Sequence, residues 1–165
     1  MTPRKILVPV DYSDCSRAAL VYAADLARTF GAELDIVHVW DRPPYVSETV
    51  EVRHADGGTR SLVDMIREAA ERDMTEFVAL AKIPADVRFE RRLCSGNPAA
   101  QVLAELELGR HDLVIVGTHG RTGLRHALLG SVAEKLVRLS PVPVLTVRHP
   151  SAAGSPFVKS LPLLA

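Results

Sequence analysis

The residues best suited to chemistry lie in one stretch, GTHGRTGLRHALLGS, from Gly117 to Ser131. Gly117, Gly120 and Gly123 carry no Cβ, so the backbone can take positive φ there and a ligand can approach it closely. Gly130 and Ser131 stand where a helix begins. A helix start offers unpaired N–H groups and the positive end of the macrodipole to an anion. The Ser131 hydroxyl can add one more hydrogen bond. His119, Arg121 and Arg125 supply further donors, and a guanidinium fork suits a phosphate group. The same residues have a plainer reading. Glycines after a strand are ordinary turn residues, and Ser131 would cap its helix with no ligand present. On physical grounds alone the two readings stand level. GxxxxGK[ST] is absent, and so is GxGxxG after the first strand, which removes the P-loop and the dinucleotide fingerprint.

Asp11 ends the first apolar run and is the other candidate. It could accept a hydrogen bond from a sugar hydroxyl, help hold a metal bridging phosphates, or simply cap the next helix. One carboxylate is not a metal site, so a bound Mg²⁺ would be held mainly by phosphates and water. A phosphoacceptor role is argued against, because Asp11 has no adjacent acidic partner and no Lys follows the run DLVIVG. The six histidines lack metal-ligand spacing. His38, within a strand, reads as a packed residue, and Trp40 either packs or flanks a pocket. Cys94 reads as a buried inert thiol with no activating base. Lys135 and Arg138 fall in the last turns of a helix and suit its C-terminal dipole.

These residues need a scaffold, and the sequence describes one. Lys5–Val10, Leu34–Trp40, Asp86–Leu93, Asp112–Gly117 and Val142–Arg148 read as strands, the third and fifth as sheet edges. Helices are expected after Ser13 and Asp14 with an apolar face of Leu20, Ala23, Ala24 and Ala27, from Ser61 to Ala81, from Asn97 to about Leu108, and over Ser131–Leu139. Gly31 and Gly109 read as stops. Ser61 and Asp64 are placed like a capping box. Asp41–Thr59 holds Pro43, Pro44, Gly57 and Gly58 without a period and reads as a long loop. The βαβαβαβαβ order predicts an open, doubly wound parallel sheet with helices on both faces, whose ligand site lies beyond the carboxyl ends of the strands.

Composition excludes several classes. Twenty basic residues balance twenty acidic ones, so no field draws in nucleic acid. A 47% apolar, 24% charged chain of 165 residues reads as one folded domain over 1–150, with residues 151–165 as a flexible tail. Cys15 and Cys94 form no metal or disulfide framework, which suits a reducing cytoplasm. The opening MTPRKILVPVD is too short in its apolar run for a leader or a membrane span.

The spacing Gly117-x2-Gly120-x9-Gly130-Ser131 resembles the G-x2-G-x9-G-[S/T] nucleotide motif of the universal stress protein family. KILVPVDYSDCSRAAL, LDIVHVW, GNPAAQVLAE, DLVIVGTHGRTG and GSVAEKLVRLSPVPVLTVR also resemble that family, in the right order and from Arg4 to about Arg148. The resemblance implies a five-stranded sheet in the order 3-2-1-4-5 with ATP over the ends of strands one and four. Pro9 and Asp11 would then line the adenosine side, and Val39 would meet adenine through its backbone. Gly117, Thr118, His119, Gly120, Arg121 and Gly123 would wrap ribose and phosphates, with Gly130, Ser131, Val132 and Ala133 closing the phosphate site. The family includes members that bind ATP and members that do not, and the complete motif places this chain with the former.

The resulting expectation is an ATP-binding stress-response protein, with Mg²⁺ on the phosphates, acting as a sensor or interaction module toward a protein partner. No general base, nucleophile or metal cluster is evident for fast phosphoryl transfer. A slow ATPase or autokinase, and a nucleotide-free interaction protein, are the alternatives. The final strand, Val142–Arg148, is expected to pair edge to edge in a homodimer.

Overall fold

The computed structural model describes residues 2–40, 50–53, 58–118 and 129–148. The strands β1 (Lys5–Val10), β2 (Glu33–Trp40), β5 (Phe89–Ser95), β6 (Leu113–Gly117) and β7 (Val144–Val147) form one sheet in the order β5-β2-β1-β6-β7, every neighbour parallel. This is the expected doubly wound order, with β5 and β7 at the edges. Helices α1 (Asp14–Phe30), α2 (Leu62–Leu80), α3 (Pro98–Leu108) and α4 (Ser131–Leu139) supply the crossovers. Among the described residues, no helix is long and apolar enough to cross a membrane.

Alternation along the strands divides the core in two. Ile6, Val8 and Val10 of β1 join Leu34, Ile36 and Ile115 under α1 and α2. Leu7 joins Val37, Val114 and Val116 under α3 and α4. The α1 residues Leu20, Ala23, Ala24 and Ala27 are buried as their spacing predicts. Ser13 caps α1 by accepting the Ser16 N–H, Asn97 caps α3 by accepting the Ala100 N–H, and Gly31 ends α1 at φ 67°.

Four expectations need correction. The 41–59 segment is not wholly loop: β3 (Glu51–Arg53) pairs antiparallel with β4 (Thr59–Ser61), and residues 41–49 and 54–57 lie outside those described. Three-residue strands are too short to leave a period in the sequence. The Ser61 side chain makes no cap bond, because Ser61 also ends β4; Asp64 pairs instead with Arg67 at 3.0 Å. The third strand begins at Phe89 rather than Asp86 and runs on to Ser95. The last strand is Val144–Val147, shorter than Val142–Arg148, because the Ser140 hydroxyl both donates to the Val142 carbonyl and accepts the Val142 N–H, holding a turn there.

The amino end of the sheet is closed by charge. The buried Asp35 carboxylate meets Lys5 Nζ at 3.0 Å, His111 Nε2 at 2.9 Å and Arg92 at 3.5 Å. Arg92 continues to Glu105 at 3.0 Å, which ties β5 to α3. Buried charges are tolerated when paired in this way.

Candidate functional site

The opposite, carboxyl end of the sheet carries a cavity of about 280 Å³, close to the lower end of the range for small-molecule sites (~300–1,000 Å³). It lies between β1 and β6, where the strand order reverses, as expected for an open doubly wound sheet. The local cause is visible in the pairing. The β1–β6 ladder covers Ile6↔Leu113 and Leu7↔Val114, whereas β6 stays paired with β7 as far as Gly117. Pro9 lacks the N–H that would extend a ladder. Pro9 and Val10 on one side, and Val116 and Gly117 on the other, therefore form walls rather than neighbours in the sheet.

Of the predicted site residues, Pro9, Asp11, Val39, Gly117, Gly130, Ser131, Val132 and Ala133 all line this one cavity. Thr118 does not. It is buried, its N–H donates to the Val147 carbonyl at 2.9 Å, and its carbonyl accepts the Gly130 N–H at 2.7 Å. Thr118 thus ties the end of β7 to the start of α4. His119, Gly120, Arg121, Gly123 and Arg125 lie outside the described residues. Trp40 is not on the lining, so the packing alternative fits it. His38 is buried and donates Nδ1–H to the Val10 carbonyl at 2.7 Å, a packed residue as expected.

Gly117 is glycine for a reason the sequence does not show. It is not among the positive-φ glycines. A Cβ built on it would lie 2.8 Å from the Cys15 carbonyl carbon and 2.9 Å from both the Cys15 oxygen and the Ser16 nitrogen. The first turn of α1 rests directly on the backbone of β6, and the close approach is made by the helix.

The cavity has two chemically different ends. Val37 and Val39 of β2, with Pro98 and Val102 of α3, give an apolar wall. Facing it is the start of α4, whose cap residue Gly130 provides no side-chain hydrogen bond. The first-turn N–H groups of a helix have no partner within the helix, so α4 presents donors and a positive dipole end at the cavity. Asp11 stands at the rim, its Oδ1 accepting the Ser13 hydroxyl at 2.5 Å and the Ser13 N–H at 3.1 Å. Asp11 lines the cavity and holds Ser13, and it is Ser13, not Asp11, that caps α1. Among the described residues, no group of three or more His, Cys, Asp or Glu side chains could hold a metal. Of the apolar wall, the sequence named Val39 alone and missed Val37, Pro98 and Val102, together with Val10, Ser16 and Val116.

Cys94 is half-buried, with Sγ 3.8 Å from Glu105 Oε1. Burial pushes its thiol up, Glu105 adds to the effect through its charge and hydrogen bond, and Arg92 opposes it. The thiol is therefore held neutral, in line with the inert reading.

A parallel sheet in this order, with a crevice at its switch point, defines a Rossmann-like α/β fold. The model of the universal stress protein family matches residues 2–148. This chain belongs to that family. A universal stress protein of Methanocaldococcus jannaschii is 31% identical over 147 residues, covering 89% of this chain and 83% of the relative. One from Bacillus subtilis is 34% identical over 147 residues, covering 87% and 98%. Among solved structures, a universal stress protein from Lactobacillus plantarum superposes with TM-score 0.71 at 22% identity, covering 88% of this chain and 97% of that one. A universal stress protein in complex with cAMP gives 0.66 at 22%, covering 90% and 98%. One from Archaeoglobus fulgidus in complex with dAMP gives 0.59 at 19%, covering 89% and 99%.

Proposed function

We propose that this protein binds an adenine nucleotide, ATP, and acts in the stress response as a nucleotide-dependent sensor or interaction module. The observation that carries the reading is the cavity's polarity: an apolar wall at Val37, Val39 and Val102, opposite the α4 start at Gly130 and Ser131 with no side-chain cap. A base belongs against the first and phosphates at the second. Two of the solved neighbours carry cAMP and dAMP, both adenine nucleotides. Pro9 and Asp11 would face the adenosine. Gly117, with His119, Gly120, Arg121 and Gly123 beyond it, would wrap ribose and phosphates, and Ser131, Val132 and Ala133 would meet the phosphates through backbone N–H groups. Mg²⁺, where present, would be held by phosphates and water, with Asp11 as the one nearby carboxylate.

Native mass spectrometry of freshly purified protein, followed by calorimetric titration with ATP, tests the reading. Gly130→Val and Gly120→Val are expected to abolish binding while the far-UV spectrum stays native. Unchanged affinity in both variants refutes it. ADP release and protein phosphorylation after incubation with ATP and Mg²⁺ separate a holding protein from a slow ATPase or autokinase.

The two sheet edges support a homodimer through β7. The β5 edge carries Glu90, Arg91 and Arg92, charges that deter edge pairing. The β7 edge presents Val144, Leu145, Thr146 and Val147. Sedimentation at micromolar protein showing only monomer rejects the dimer.

A further inference from the structure

His111 lies far from the cavity, on the turn that follows α3, and both nitrogens of its ring face oxygens. Nδ1 is 3.2 Å from the Glu105 carbonyl, and Nε2 is 2.9 Å from Asp35 Oδ2. The side chains of His111 and Asp35 are both buried. A carbonyl has no proton to give, so Nδ1 must supply one. The Asp35 oxygen that faces Nε2 also meets Lys5 Nζ at 3.0 Å and Arg92 at 3.5 Å. Two cations on that oxygen keep the carboxyl ionised. Asp35 therefore only accepts as well, and Nε2 must supply a second proton. A neutral imidazole carries one N–H and cannot serve both oxygens.

The surrounding charges favour the second proton. Lys5 of β1 and Arg92 of β5 face Asp35 of β2, Glu90 of β5 and Glu105 of α3, with Arg92 3.1 Å from Glu90 and 3.0 Å from Glu105. Two cations thus stand among three carboxylates, and a doubly protonated His111 makes three of each. On the turn itself Arg110 is exposed, and the Asp112 carboxylate accepts the N–H groups of Arg4 and Lys5. The Glu105 carbonyl belongs to the last turn of α3, where the helix dipole favours a cation. The backbone is strained to deliver the ring there. Arg110 holds φ 55°, and Gly109 leaves space that a Cβ would take from the ring.

We propose that His111 is a buried imidazolium that latches the α3–β6 turn to β1 and β2, and that loss of one ring proton at alkaline pH releases the latch. Whichever proton leaves, a bare nitrogen lone pair is left against an oxygen. The turn so released includes Asp112, whose N–H donates to the Lys5 carbonyl at 3.0 Å. The latch sits at the end of the sheet opposite the cavity and works whatever the cavity holds.

Nitrogen-15 magnetic resonance of the full chain at pH 7 counts the ring protons. Both His111 nitrogens are expected to be protonated, with ring N–H protons that exchange slowly; one unprotonated nitrogen, in either position, overturns the proposal. Urea titration measures the consequence. A folded state that keeps a proton which the unfolded chain loses above about pH 6.5 becomes less stable as pH rises. The folding equilibrium constant of wild type should therefore fall by up to about tenfold per pH unit above that value, until the ring has titrated. His111→Gln, whose amide does not titrate, should lack this fall, and parallel curves overturn the proposal. Where His111→Gln does not fold, the wild-type Asp112 amide decides. Its protection against hydrogen exchange should decline as the ring titrates, and unchanged protection overturns the latch.

Discussion

Replacing Gly117 with alanine isolates the contact that brings α1 to the site. The added Cβ meets three atoms at 2.8–2.9 Å: the Cys15 carbonyl carbon, its oxygen and the Ser16 nitrogen. Ordinary carbon contacts lie near 3.5–4.0 Å, so α1 and β6 must separate by roughly half an ångström or more. All three atoms are backbone, so no rotamer change relieves the clash. The helix is also held from below, where Ala19, Leu20, Ala23, Ala24 and Ala27 are buried. Overpacking of this kind costs about 1–3 kcal/mol. The stiffer unfolded chain returns about 0.4–1 kcal/mol, and no φ penalty enters because Gly117 is not left-handed. With backbone on every side the upper half of the range applies, and a net loss of about 1.5–2 kcal/mol is expected. At roughly 2–4 °C per kcal/mol for a chain of this size, Tm falls by about 3–8 °C.

Urea unfolding followed by far-UV circular dichroism measures the loss, with an unchanged m-value showing that the unfolded state is the same. Nucleotide affinity in the same variant should fall as well, since Ser16 and Asp11 move with the first turn of α1. A variant as stable as wild type, or more stable, would refute the claim that helix packing demands this glycine.

Three further outcomes are expected. Gly31→Ala meets nothing within 4 Å but must hold φ 67°, so it should cost about 1 kcal/mol from backbone strain alone, and Gly31→Asn should cost less in the same urea titration. For Asp35, burial raises the carboxyl pKa, but the hydrogen bonds from Lys5 and His111 and the charges of Lys5 and Arg92 outweigh it and leave the group below its ordinary value. A depressed pKa stabilises the fold above the unfolded-chain value of about 3.9 and loses that contribution as pH falls through the folded value. Stability should therefore drop more steeply below about pH 4 in wild type than in Asp35→Asn; parallel curves would contradict the sign. Cys94 should alkylate slowly at pH 8 and faster in Glu105→Gln, read from its peptide by mass spectrometry, because Glu105 disfavours the thiolate.

How legible each element was follows from where its determinants lie. Ser13, Gly31, Asn97 with Pro98, and Gly109 mark helix ends through local chemistry, and the structure ends the helices where they predict. Gly109 illustrates the boundary of that kind of reading. A Cβ there would meet the His111 ring at 2.2 Å and the Glu105 carbonyl at 2.7 Å, so its stop signal also answers to a buried histidine paired with Asp35. That pairing joins positions 76 residues apart, and no local pattern announces it. The β3–β4 hairpin was illegible for the opposite reason: its strands are shorter than the period needed to detect them.

The candidate site divides along the same line. Its helix-start end was readable because Gly130, Ser131, Val132 and Ala133 are consecutive and their N–H groups follow from the helix they begin. Its apolar wall, beyond Val39, was not, because register and not sequence brings Val37, Pro98 and Val102 to it. Pro9 stands opposite Val37 in the β1–β2 ladder, so alternate residues of two strands project toward α3 and meet Val102 there. Both faces of these strands are buried, which removes the polar–apolar alternation that would have told the faces apart. The same ladder explains Pro9 itself. In a central strand a proline reads as a defect, yet here the lost donor falls where β1 and β6 part and the crevice opens. A continuous sheet needs a donor at that residue and an open crevice does not, and the β1–β6 ladder stops short of it, at Leu7↔Val114.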